Sequence, residues 1–156
     1  MYDIGSGTGS IAIEASRVSP DIKIYALECK EEAVELIKEN VAKFGSSNVM
    51  VLQSEAPNGL ENLDKADAAF IGGSGGHLKE ILTKLYEINP SMRIVMNAVS
   101  MESIVEMNQL VKEFPVTDLD VSQVSVTKVK ELGDYHMMQA NNPVFIYSFY
   151  FKGSTD

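Results

Sequence analysis

The chain opens on a short apolar stub, Tyr2 and Ile4, that runs into D-I-G-S-G-T-G at residues 3–9 and then into Ile11, Ala12, Ala15 and Val18 at helical spacing. Strand, glycine loop, helix is an order that few folds can use. Gly5, Gly7 and Gly9 permit positive φ and let a ligand approach the backbone closely at a helix N-terminus. Ser19-Pro20 stops that helix, and the same alternation then repeats. Residues 22–27 read as a strand and 30–44 as a helix closed by Gly45. Strands follow at 49–52, 66–71 and 93–99, with helices outlined by Leu78, Ile81, Leu82, Leu85 and Tyr86 and by Ile104, Met107, Leu110, Val111 and Phe114. The runs 119–129 and 144–151 are β-rich with no helix pattern between them. This alternation predicts right-handed βαβ units on a mostly parallel sheet, closed by an antiparallel pair.

Composition narrows what such a fold does. The 156 residues fit one domain, expected over 1–152 with a tail at 153–156. Apolar residues at 45% and charged residues at 22% are those of an ordinary globular protein. No apolar run approaches the roughly 18 residues of a membrane span, and no secretory leader pattern is present, so the cytoplasm is the expected compartment. Cys29 is the only cysteine, which leaves no internal disulfide and no thiolate metal cluster. Thirteen basic residues against twenty-two acidic ones give a net charge of -9, which repels a phosphate polymer, so no nucleic-acid partner is expected. The first strand has at most four residues before Gly5, whereas a central strand usually has about five or six, so the chain reads as lacking an upstream segment.

Candidate chemistry lies where strands end. The G-x-G-x-G spacing departs from the dinucleotide fingerprint, because Ser10 stands where G-x-G-x-x-G has its third glycine, yet it leaves NAD open. Glu28, nineteen residues after Gly9, ends the second strand, where a carboxylate accepts hydrogen bonds from ribose hydroxyls. That device serves any adenosine-bearing cofactor. Ser54, Glu55, Ala56 and Pro57 follow the third strand, and Gly72, Gly73, Ser74, Gly75 and Gly76 follow the fourth as a wall almost without side chains, suited to a bulky planar substrate or to the sulfonium end of a cofactor. His77 next to it is a candidate base or a plain helix-start residue.

These residues are joined by S-E-A-P at 54–57, F-I-G-G-S-G-G at 70–76, N-A-V-S-M-E-S at 97–103 and N-P-V at 142–144. With D-I-G-S-G-T-G-S they resemble the cobalamin-pathway C15-methyltransferase and decarboxylase family, which also forms the C-terminal half of the precorrin-6Y C5,15-methyltransferase. The resemblance covers nearly the whole chain. It implies a class I S-adenosylmethionine methyltransferase of Rossmann-like fold, with a seven-stranded mostly parallel sheet and a C-terminal antiparallel hairpin. It further implies that Asp3, Gly5, Ser6, Gly7, Thr8 and Gly9 hold the methionine part of S-adenosyl-L-methionine, Glu28 the ribose, and Glu55 and Ala56 the adenine edge. Ser54 stands where the family usually has Gly.

The implied substrate is a cobalt-precorrin or precorrin, methylated at C15 and decarboxylated at the C12 acetate, with no metal site in the protein. Gly72, Gly73, Ser74, Gly75 and Asn97 are the expected acceptor pocket, and Glu102 is a further candidate there. A carboxylate-rich macrocycle on an acidic protein calls for local cations. Lys128, Lys130 and His136 around the last hairpin, and His77 and Lys79 beside the glycine wall, are the candidates, with Lys130 and His136 expected to help dock carboxylates. The resemblance also implies a homo-oligomer, a homotetramer, working beside a separate C5-methyltransferase subunit. The alternatives are a class I methyltransferase acting on another small molecule or RNA, or a non-catalytic Rossmann-like module.

Overall fold

The computed structural model describes residues 1–153, so all but Gly153 of the tail expected at 153–156 lies outside the described residues. Five parallel strands, β1 (Tyr2–Ile4), β2 (Ile24–Glu28), β3 (Val49–Gln53), β4 (Ala68–Ile71) and β5 (Arg93–Ala98), alternate with helices α1 (Ser10–Val18), α2 (Glu31–Phe44), α3 (Leu78–Ile88) and α4 (Met101–Glu113). β6 (Val116–Val124), β7 (Thr127–Leu132), β8 (Tyr135–Ala140) and β9 (Val144–Phe151) complete the chain. The main sheet has seven strands in the order β3-β2-β1-β4-β5-β9-β6, with β9 antiparallel to both neighbours.

Order reverses at β1, where the chain winds first toward β2 and β3 and later toward β4 and β5. Such a reversal opens a crevice at the carboxyl ends of the strands. β1 is short, yet Tyr2, Asp3 and Ile4 are all buried and paired on both sides. Alternation along each strand divides the core in two. Tyr2, Ile4, Leu27, Ile71, Ile94, Met96, Tyr147, Phe149 and Phe151 pack beneath α3 and α4, whereas Ala12, Ile24, Ala26, Ile37 and Val49 form a smaller cluster under α1 and α2. The apolar end 144–151 is thereby an inner strand, with Tyr147, Phe149 and Phe151 consumed by the core and Tyr150 left exposed.

One element differs from the expectation. The run 119–129 is broken, and β7 with β8 forms a separate two-stranded hairpin between β6 and β9, every residue of it exposed. Its side chains alternate without a buried side, so no hydrophobic period marks it in the sequence.

Candidate active site

The glycine loop folds back over the end of β2: the N–H groups of Gly5 and Ser6 both donate to the Leu27 carbonyl at 3.0 Å. Gly5 has φ 67°, and a Cβ there would stand 2.7 Å from the Gly73 nitrogen, so the glycine is required both by conformation and by the close approach of the two loops. Gly9 caps α1 at φ 78° and lets that helix start close against Ile37. Thr8 is exposed, its carbonyl accepting from Asn40 Nδ2 at 3.0 Å.

Asp3 is 1% exposed, and its Oδ2 accepts from Ser6 Oγ at 2.6 Å and from the Ala12 N–H at 3.1 Å. One carboxylate oxygen therefore ties β1 to the loop and to the N-terminus of α1, where negative charge is favoured. Its Oδ1 is buried with no hydrogen-bond partner. Burial raises the Asp3 pKa above the ordinary aspartate value, the bonds from Ser6 and Ala12 pull against it, and the Glu28 charge adds to the rise.

Glu28 turns inward. Its Oε2 accepts from the Gly7 N–H at 3.0 Å, and its Oε1 accepts from the N–H groups of Cys29 at 3.0 Å and Lys30 at 3.1 Å. Burial works to raise its pKa, but these bonds with that of the Cys29 thiol outweigh it and leave the group below the ordinary glutamate value. An ionised carboxylate is thus held at the end of β2, with one acceptor position on Oε2 to spare.

Two depressions meet at the glycine wall. The first is lined by Gly5, Glu28, Glu55 and Ala56 with Gly73, Ser74 and Gly75, and also by Cys29 and Ile81. Glu55 is exposed and reaches toward Gly75, whose added Cβ would lie 3.7 Å from Glu55 Oε1. The second is lined by Gly72, Gly73 and Ser74 with Asn97, Ser103 and Glu106. Gly73 and Ser74 belong to both. Ser54 is bound locally, donating through Oγ to the Asn58 carbonyl at 2.7 Å.

The structure thus gathers the loop residues, Glu28, Glu55, Ala56, residues 72–75 and Asn97 at one edge. Sequence reasoning missed Cys29, Ser103 and Glu106. Cys29 carried a readable signal, since it adjoins a strand-end acid. Ser103 and Glu106 lie three residues apart on α4, one face of a helix that begins at the Ser100 cap. Glu102 instead lines a neighbouring open depression with Met101 and Val105. Lys79 is engaged by Glu113 at 2.7 Å, and a separate cavity of about 580 Å³ that it lines with Pro57, Asn58 and Glu61 lies away from the glycine wall. His77 is exposed at the start of α3 and makes no side-chain cap bond.

Lys130 and His136 are not brought together. Residues paired across an antiparallel ribbon share a face, and Lys130 pairs with Met137 whereas His136 pairs with Glu131, so the two lie on opposite faces of the hairpin. Neither lines a depression at the glycine wall. No group of His, Cys, Asp and Glu among the described residues is placed to hold a metal ion. No described helix is long and apolar enough to cross a membrane.

Comparison with known proteins agrees with this geometry. A profile described as the precorrin methyltransferase domain matches residues 1–150. The cobalt-precorrin-6B C(15)-methyltransferase (decarboxylating) of Salmonella typhimurium is 33% identical over 147 residues, which is 94% of this chain and 76% of that protein. The crystal structure of precorrin-6Y C5,15-methyltransferase from Geobacter metallireducens superposes with a TM-score of 0.89 at 36% identity, over 97% of this chain and 78% of that one. A SAM-dependent O-methyltransferase from Thermotoga maritima, 19% identical, shares the fold at a TM-score of 0.78 over 99% of this chain and 60% of that one. With the matched span covering the loop, both depressions and the closing antiparallel strands, the chain belongs to the precorrin methyltransferase family.

Proposed function

We propose that this chain methylates C15 of a cobalt-precorrin or precorrin, with S-adenosylmethionine as donor, and removes the carboxyl group of the C12 acetate, a step of cobalamin biosynthesis. The observation that carries the reading is the pair of depressions sharing Gly73 and Ser74, a wall thin enough for two molecules to meet across it.

The residues of the first depression fit the donor. Gly5 lines it at the start of the loop 5–9 that we assign to the methionine part, Glu28 keeps an ionised acceptor for a ribose hydroxyl, and Glu55 and Ala56 border the adenine. Asp3 Oδ1, buried without a donor, is the group that a cationic ligand in the loop would satisfy. When bound, S-adenosylmethionine supplies a methyl group on a positively charged sulfur. Everything else falls to position. The chain orients the acceptor carbon in line with that methyl, and alignment alone lowers such a barrier greatly. Decarboxylation releases carbon dioxide, the macrocycle takes up the electron pair, and a proton returns to the side-chain carbon. The substrate itself is the electron sink.

On this reading residues 72–75 and Asn97 face the acceptor, with Lys130 as a further substrate residue, and residues 1–152 act as one catalytic domain in the cytoplasm. It assembles as a homo-oligomer, a homotetramer, beside a separate C5-methyltransferase. Exposed Leu119, Val121 and Val124 on β6 support self-association.

Calorimetry with S-adenosylmethionine and with NAD, followed by an assay on cobalt-precorrin that records methyl transfer and carbon dioxide together, tests the proposal. Binding of the former and equal yields of both products are expected. Binding of NAD alone, or methyl transfer without carbon dioxide, would overturn it. Glu28→Gln should weaken donor binding by roughly 10- to 100-fold, the worth of a hydrogen bond to a charged group.

A further inference from the structure

On the proposed reading, an acidic chain of net charge -9 must hold a macrocycle ringed by carboxylates. Long-range repulsion opposes that encounter, so attraction has to be local. The β7–β8 hairpin has one face built for it. Lys128 pairs with Gln139, Lys130 with Met137 and Leu132 with Tyr135, which places two lysines, a tyrosine and two apolar side chains on one side. The other side carries Thr127, Val129, Met138 and Ala140, and Glu131 against His136 at 3.9 Å. The first face is cationic and the second is not. Neither lysine forms an ion pair among the described residues.

Topology puts this arm at the right edge. Phe145 near the start of β9 pairs with Ala98, the last residue of β5, and β5 ends where the glycine wall and Asn97 lie. The hairpin springs from the chain just before, at Val126 and Asn141, which are joined by a backbone bond of 2.9 Å. Six residues per strand at about 3.4 Å each give it a reach of roughly 20 Å. Beside its root, on the strand next to β9, the chain leaves β5 and enters α4 with Val99 60%, Met101 70% and Val105 61% exposed. Met101 and Val105 line an open depression that shares Glu106 with the Asn97 cavity. Clustered apolar exposure at the mouth of a cleft marks a binding surface.

We propose that the macrocycle lies with its apolar face on the shelf of Val99, Met101 and Val105, and that its carboxylate rim is taken by the Lys128/Lys130 face of the β7–β8 hairpin. Flat apolar surface and charged rim are the two features of the substrate, and shelf and arm match one each. Lys130 acts with Lys128, and His136, on the opposite face, stands outside the substrate surface.

The test compares two double variants of the full chain that lower the net charge equally, Lys128→Gln/Lys130→Gln on one face and Val129→Glu/Met138→Glu on the other. The lysine pair is expected to raise KM for cobalt-precorrin about tenfold, with kcat and S-adenosylmethionine affinity within about twofold of the parent, while the opposite pair leaves KM within about twofold. Met101→Ser/Val105→Ser should also raise KM. Fluorescence quenching of uroporphyrin, a carboxylate-ringed macrocycle, should show the same order of affinities without any turnover. Equal effects from the two faces, an unchanged KM in the lysine variant, or a shift in its sedimentation with KM unchanged, as a protein partner on this face would give, each overturn the docking surface. A parent chain that binds uroporphyrin through the lysine face yet never methylates cobalt-precorrin would sink the proposed reaction and leave the docking surface standing.

Discussion

Asp3 shows what a buried carboxylate with one unpartnered oxygen costs the fold. Its carboxylate is buried, one oxygen caps α1 and binds Ser6, and the other has no partner. Burial raises its folded pKa above the value it has when unfolded, so the folded protein binds the proton more tightly. The sign follows from linkage: stability is greatest below the unfolded aspartate pKa and falls as pH rises through the window up to the folded one. Asp3→Asn removes that loss. Without ligand, the variant should melt near the parent at pH about 3 and roughly 2–4 °C above it at neutral pH, equivalent to about 1 kcal/mol. Saturating S-adenosylmethionine should narrow the gap, since only the parent gains the missing partner. Paired thermal melts across pH, with and without ligand, check both halves; a variant less stable than the parent at pH 7 would contradict the account. At this scale the sequence was legible for backbone: glycines at 5, 7 and 9 announced positive φ, and all three have it. It was mute on how Glu28 is satisfied, because the side chain turns back onto the N–H groups of the next two residues and onto Gly7, which only the fold brings beside it.

Elements were legible in proportion to what they bury. The strand read at 22–27 is β2, shifted by only one or two residues, since all five of its residues are buried and Ile24 to Leu27 announce themselves as an unbroken apolar run. β7 and β8 bury nothing, so periodicity had nothing to report. A turn signal was there to be read: Gly133 and Asp134 sit between Leu132 and Tyr135, and Gly133 has φ 59°, the mark of a two-residue hairpin loop. The same lack of burial predicts the consequence of removal. Replacing residues 126–141 by Asn-Gly should leave the melting temperature within about 2 °C, because no side chain of the hairpin belongs to either core cluster. A two-stranded ribbon is at best marginal by itself, so it contributes little that the sheet would miss. Differential scanning calorimetry of the shortened chain reads this, and a large destabilisation would mean that the ribbon packs on something the sheet needs.

For the whole molecule, the seven-stranded sheet is covered unevenly. α1 and α2 pack over β1, β2 and β3, and their cluster includes no residue of β4, β5 or β9, so Phe70, Val95 and Ile146 on that side are only half buried. At the same end lies β6, an outer strand with Leu119, Val121 and Val124 about 45% exposed. An outer strand is a template for a second chain unless something blunts it. The first half of β6 is blunted: Asp118 has φ 53°, the register shifts between Thr117 and Asp120, and two aspartates stand there. The second half, Val121 to Val124, pairs regularly with β9 and carries no charge, so a two-fold pairing of these segments from two copies closes on itself. The parent chain should therefore sediment as an oligomer at roughly 100 μM and melt higher as concentration rises, as mass action requires. Val121→Lys should abolish the concentration dependence and leave S-adenosylmethionine affinity intact, since the glycine loop lies four strands away across the sheet. A parent chain that sediments as a monomer would refute the assembly, whereas an oligomer indifferent to Val121→Lys would move the contact to the half-covered face of Phe70, Val95 and Ile146.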